Sequence, residues 1–132
     1  AISLHAVSDE QRKRLIPNNF GFSIENILNA GRYYLKKTKS RLTIEYVLIK
    51  GINDSVADAH KLTRLLRYHK LLNPNVQVNL ISLNSIVDTQ FKIPTKNLIQ
   101  KFKSILRLNG IAVNVRQVKG SDINAACGQL GY

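Results

Sequence analysis

Arg41-Leu-Thr-Ile-Glu-Tyr-Val-Leu-Ile49, with Gly51 and Ser55-Val-Ala-Asp58 behind it, decides the fold class. Leu42, Ile44, Tyr46 and Leu48 alternate with Thr43, Glu45 and Val47. That period of two predicts a strand with one buried face. Gly51 breaks the run, and Ser55 with Asp58 spells a helix start. Val56, Ala59, Leu62, Leu65 and Leu66 then recur at helical spacing as the buried stripe, with Lys61, Arg64, Arg67 and Lys70 on the other side. A strand running directly into a long amphipathic helix is half of a parallel crossover unit.

The unit repeats in both directions. Ala1–His5 reads as the end of a strand. Ser8 begins a short helix, with Gln11 as its capping-box partner, and Pro17 closes it. Ser23 caps a second helix whose apolar face is Ile24, Ile27, Leu28, Tyr34 and Leu35. Asn73-Pro74-Asn75 turns the chain into a third strand, Val76–Leu83. After Pro94, Thr95 caps a last helix with Leu98, Ile99, Phe102, Ile105 and Leu106 facing inward. Gly110 ends it and Ile111–Val118 forms a fourth strand. The expectation is α/β: a parallel half-barrel of about four strands with crossover helices over residues 1–118, and a Gly-rich tail over 119–132. Such a half presents an open sheet edge, so a covering partner is expected, with marginal stability in its absence.

Composition narrows the function. Twenty Lys and Arg stand against eight Asp and Glu, a net charge of +12 that suits a polyanion, nucleic acid above all. The one cysteine, Cys127, excludes an internal disulfide, makes the cytoplasm the expected compartment, and cannot hold zinc or an iron–sulfur cluster alone. No apolar run approaches the ~20 residues of a membrane span. The chain contains no Met and opens Ala-Ile-Ser-Leu-His, so it reads as part of a longer protein.

Ligands in parallel α/β folds bind beyond the C-terminal ends of the strands. Those ends are Ser3-Leu4-His5, Gly51-Ile-Asn-Asp54, Asn84 and the segment Gly120–Gly128. Taken singly, each has a structural reading as a strand end, a turn or a small buried thiol.

Together they form a pattern. Ala1-Ile-Ser-Leu-His-Ala6, Leu15-Ile-Pro-Asn-Asn19, Ile44–Ser55, Val78-Asn-Leu-Ile-Ser-Leu-Asn84 and Asp122-Ile-Asn-Ala-Ala-Cys-Gly-Gln-Leu130 resemble, in order and spacing, the radical-SAM adenine methyltransferases of RNA, the RlmN/Cfr family. The resemblance runs nearly end to end and implies the C-terminal half of a partial barrel. It implies S-adenosylmethionine and a 4Fe–4S cluster as cofactors, and ribosomal and transfer RNA as substrates. The family methylates an unactivated adenine carbon, here C2 on the segment around Glu45, through a methylated cysteine. Cys127 matches that methyl carrier, and Ser3, Leu4, His5 and Asn84 match contacts to S-adenosylmethionine. Glu45 and Tyr46 receive no catalytic role. Lys36, Lys37, Lys39 and Arg41 are candidates for phosphate contacts.

The departures are definite. The C-x-x-x-C-x-x-C cluster motif and the second catalytic cysteine are absent from these 132 residues. The chain alone is therefore expected to be inactive and to need the N-terminal half of the same protein. Ser82 and Asn18 stand where many relatives have Pro and Ile. Two other readings fit the same residues: a basic RNA-binding remnant without catalysis, and one half of a split enzyme.

Overall fold

A computed structural model describes residues 1–18, 20–82 and 91–116. Four strands form one sheet: β1 (Ile2–Ser3), β2 (Leu42–Leu48), β3 (Val76–Ser82) and β4 (Ala112–Arg116). They lie in chain order and pair in parallel throughout. Between them run α1 (Asp9–Leu15), α2 (Ile24–Thr38), α3 (Val56–Tyr68) and α4 (Lys96–Leu108). The expected parallel α/β sheet is present.

The alternation of β2 sorts its two faces. Leu42, Ile44, Tyr46 and Leu48 are buried, as are Val76, Val78 and Leu80 of β3 and Val113 of β4. They join Leu28, Ala59, Leu62, Leu66, Phe102 and Leu106 of the helices in one core. Tyr46 and Phe102 meet with ring centroids 5.5 Å apart, a tilted aromatic pair at its centre. The opposite face carries Thr43, Glu45, Gln77, Asn79 and Asn114, a polar band flanked by Val47, Ile81 and Ala112.

Caps fix the helix starts. Ser55 and Asp58 form the full reciprocal box expected of them, and Gly110 closes α4 at φ 80°. The first helix differs from expectation. The Ser8 hydroxyl accepts from Gln11 N at 3.2 Å, but Gln11 Oε1 reaches past the cap to accept from Val7 N at 2.9 Å. Its amide also donates to Ile52 O at 2.7 Å, so this side chain ties α1 to the loop after β2. Two stripe positions are exposed. Val56 is exposed because it sits in the first turn, beyond the sheet, and Tyr34 is exposed because Gly31 takes the place closest to β1 and β2.

Candidate functional site

The C-terminal rim is a hydrogen-bonded assembly built on Asn53, which is fully buried. Its Oδ1 accepts from Ile49 N at 2.7 Å, and its Nδ2 donates to the carbonyls of Val47 at 2.7 Å and His5 at 2.8 Å. Its own carbonyl accepts from the Tyr46 hydroxyl at 3.0 Å. Asp54 Oδ1 accepts from Gly51 N at 2.9 Å and completes the turn. The end of β1 and the loop after β2 are thus one unit.

His5 sits at φ 57°, a left-handed conformation uncommon outside glycine. Its Nδ1 accepts from Val47 N at 3.1 Å, which leaves the ring proton on Nε2. Burial, reinforced by the Arg12 guanidinium, lowers its pKa from 6.5 to about 4, so the imidazole is neutral near pH 7. Tyr46 is likewise neutral, because burial and the nearby Asp58 and Asp54 carboxylates raise its pKa.

The sequence-derived residues divide by accessibility. Ser3 is exposed at the strand end, in register with Glu45. The Leu4 side chain is fully buried and its N–H donates to Glu45 O at 3.0 Å, so a ligand can meet only its carbonyl. Asn84 and Cys127 lie outside the described residues.

Register adds a residue that the sequence alone does not single out. Ser3, Glu45, Asn79 and Asn114 align across all four strands on the polar face. Asn79 Nδ2 donates to Glu45 Oε1 at 3.1 Å, while Glu45 Oε2 is buried and has no partner among the described residues. A buried carboxylate oxygen without a partner among the described residues needs a hydrogen-bond donor. The signal in the sequence was an acidic residue at the outward position of an otherwise apolar strand.

The expected phosphate contacts lie elsewhere. Lys36, Lys37, Lys39 and Arg41 are exposed at the end of α2 and the start of β2, the N-terminal rim of the sheet. Lys37 Nζ stands 5.6 Å from the Tyr33 ring centroid there. Arg41 stands four residues before Glu45, the register partner of Ser3, and six before Val47, which bonds His5, so at ~3.3 Å per residue roughly 13 Å and 20 Å of strand separate it from them. Among the described residues the exposed cations at the C-terminal rim include Arg14, Lys50, Lys92 and Arg116, with Lys50 N donating to Lys92 O at 2.9 Å. Arg14 also lines a polar cleft of about 320 Å³ with Ser8, Gln11, Gly51 and Phe91.

Comparison with known proteins gives the site its context. The chain is 69% identical, over all 132 residues, to a protein of Endomicrobium trichonymphae described as a probable dual-specificity RNA methyltransferase RlmN. It is 51% identical over 130 residues to a Clostridium botulinum protein of the same description. It spans 38% and 36% of the lengths of these relatives. A solved radical SAM methyltransferase from Sphaerobacter thermophilus superposes with a TM-score of 0.87 at 45% identity, over 96% of this chain and 36% of that one. A domain of a pyruvate-formate lyase-activating enzyme from Bacteroides vulgatus shares the fold, with a TM-score of 0.68 at 17% identity over 88% of this chain and 65% of that one. No protein-family model matches the chain.

Proposed function

Because this chain belongs to the radical-SAM RNA methyltransferases and corresponds to little more than a third of its RlmN-type relatives, we propose that it is the C-terminal part of an enzyme that methylates C2 of adenine in ribosomal and transfer RNA. One observation carries the reading: 69% identity along the whole chain to a probable dual-specificity RNA methyltransferase RlmN. The cytoplasm is its proposed compartment. Among the described residues no helix is long and apolar enough to cross a membrane.

The two cofactors of the family fit this chain differently. A cluster held by three thiolates does not fit a chain whose only cysteine is Cys127, and among the described residues no three His, Cys, Asp or Glu side chains are grouped to hold a metal. Its ligands belong to the rest of the longer enzyme, and the chain alone is inactive. S-adenosylmethionine does fit, because the orphaned Glu45 Oε2 lies on the same face as Ser3 and needs a donor. When bound, this cofactor supplies the methyl group and the radical chemistry that an unactivated carbon requires.

The chain's own residues orient and carry. Glu45 accepts hydrogen bonds from hydroxyl or amino groups of the cofactor. Ser3 and Asn84 add polar contacts, and the neutral His5 offers its Nε2 proton without adding charge. Asn53 holds the His5 backbone still while these contacts form. Cys127 holds the methyl group as a thioether on a segment with Gly120 before it and Gly128 after it. The target base must leave its stack to reach this rim, and Arg14, Lys50, Lys92 and Arg116 neutralise the phosphates around it.

Nucleoside mass spectrometry of ribosomal and transfer RNA tests the proposal. Cells lacking the longer gene should lose 2-methyladenosine, and the intact gene should restore it where the Cys127→Ala form does not. Unchanged 2-methyladenosine in the deleted strain would refute the assignment.

A further inference from the structure

Among the described residues β1 is an edge strand, and the charge buried beside it has no counter-ion. Arg12 is only 7% exposed, and its Nη2 donates to the Ser3 carbonyl at 3.2 Å. Its Nε and Nη1 are buried and have no partner among the described residues. A guanidinium cannot shed its proton to escape burial, so an uncompensated one is a severe penalty for a fold. A carbonyl would satisfy an N–H but leave the charge, whereas a carboxylate satisfies both.

The surroundings of Arg12 are apolar. It lines a groove with Ile2, Ile16, Phe20, Phe22 and Ile27, and Phe20 and Phe22 are 90% and 60% exposed. Beside it, along the same edge, a second hollow of about 620 Å³ runs over Ala30, Gly31 and Tyr34. Exposed aromatic side chains along a strand edge that has no partner among the described residues mark a surface that another strand covers. The source of that strand follows from length, because the relatives and the superposing methyltransferase are all much longer than the 36–38% matched here.

We propose that Arg12 is the ionic lock of this edge: a strand of the longer enzyme lies against β1 and presents an Asp or Glu carboxylate to the unpartnered N–H groups of Arg12, while Phe20 and Phe22 pack on its side chains. The proposal rests on the reading of this chain as one part of that enzyme, and it adds the chemistry of the junction. Ser3 lies at the same junction through its carbonyl, so the lock also fixes the strand end where the cofactor contacts begin.

Hydrogen–deuterium exchange on the longer enzyme tests it. Arg12→Met should speed exchange by roughly a hundredfold in residues 1–7 and in one upstream strand together, with β2 and β3 unchanged. Neutralising one carboxylate of that upstream strand should do the same, and the double variant should be no worse than either single. Arg12→Lys, which keeps the charge and serves if the Met variant fails to fold, should give a smaller change in the same two segments. The proposal is overturned if no upstream carboxylate couples to Arg12. It is equally overturned if Arg12 affects only the protection conferred by added S-adenosylmethionine, since the group would then bind the cofactor's carboxylate. The methylation state of Cys127 in the same samples reports separately on the function, so coupling beside an unmodified Cys127 would support the lock while removing the methyl-carrier reading.

Discussion

Asn53 Nδ2 donates to the carbonyl of His5 over 2.8 Å, joining residues 48 positions apart. Through this bond the loop after β2 holds the end of β1. The same side chain bonds Ile49 N and Val47 O, so it behaves as a buried bracket and not as a surface turn residue.

Asn53→Ala should therefore cost about 3 kcal/mol or more, because it strands one N–H and two carbonyls in the interior, each worth ~1–3 kcal/mol. Asn53→Asp should be at least as damaging, since a carboxylate cannot donate to either carbonyl. Denaturant unfolding of the variants checks both. A loss below ~1 kcal/mol for Ala would mean that water replaces the bracket.

His5 makes stability depend on pH. Its pKa is about 4 in the fold against 6.5 ordinarily, so between those values the unfolded chain binds a proton that the folded chain refuses. Stability is full above pH 6.5 and falls as pH drops toward 4. His5→Asn, which tolerates the left-handed backbone, should flatten this dependence. Thermal melts at stepped pH read the effect, and an unchanged slope in the variant would assign the dependence to other groups.

The two rims should differ in their dealings with RNA. Replacing Lys50 and Lys92 by Ala in the longer enzyme should weaken binding of the target RNA and lower the salt slope by ~0.7–0.9 for each phosphate left without its cation. Replacing Lys36, Lys37 and Lys39 should leave methylation at saturating RNA unchanged, as they stand at the far end of the sheet. If the N-terminal-rim variant lost turnover at saturating RNA, this placement of the substrate would be wrong.

The fold was legible because local signals agreed with it. The alternation of Leu42 to Leu48, the Ser55 and Asp58 box and Gly110 each encode their own conformation within a few residues. Tyr34 and Val56 were misplaced because helical periodicity fixes a face but not how far along it the sheet extends. The site was legible only in outline. Ser3 and His5 could be placed at a strand end, but the role of Asn53 depends on a partner 48 residues away. The unmet hydrogen-bonding need of Arg12 and Glu45 was invisible for a related reason. An orphaned N–H or oxygen is a property of the packed interior, and no spacing of residue types announces it.

The central claim is that Cys127 carries a methyl group, and the mass of its peptide tests it most directly. The longer enzyme would be expressed with its own upstream sequence and S-adenosylmethionine, with its iron–sulfur cluster verified. The expected result is a single added methyl on the Cys127 peptide, absent in Cys127→Ala. An unmodified thiol in a cluster-loaded protein would contradict it and leave a basic RNA-binding remnant as the better description.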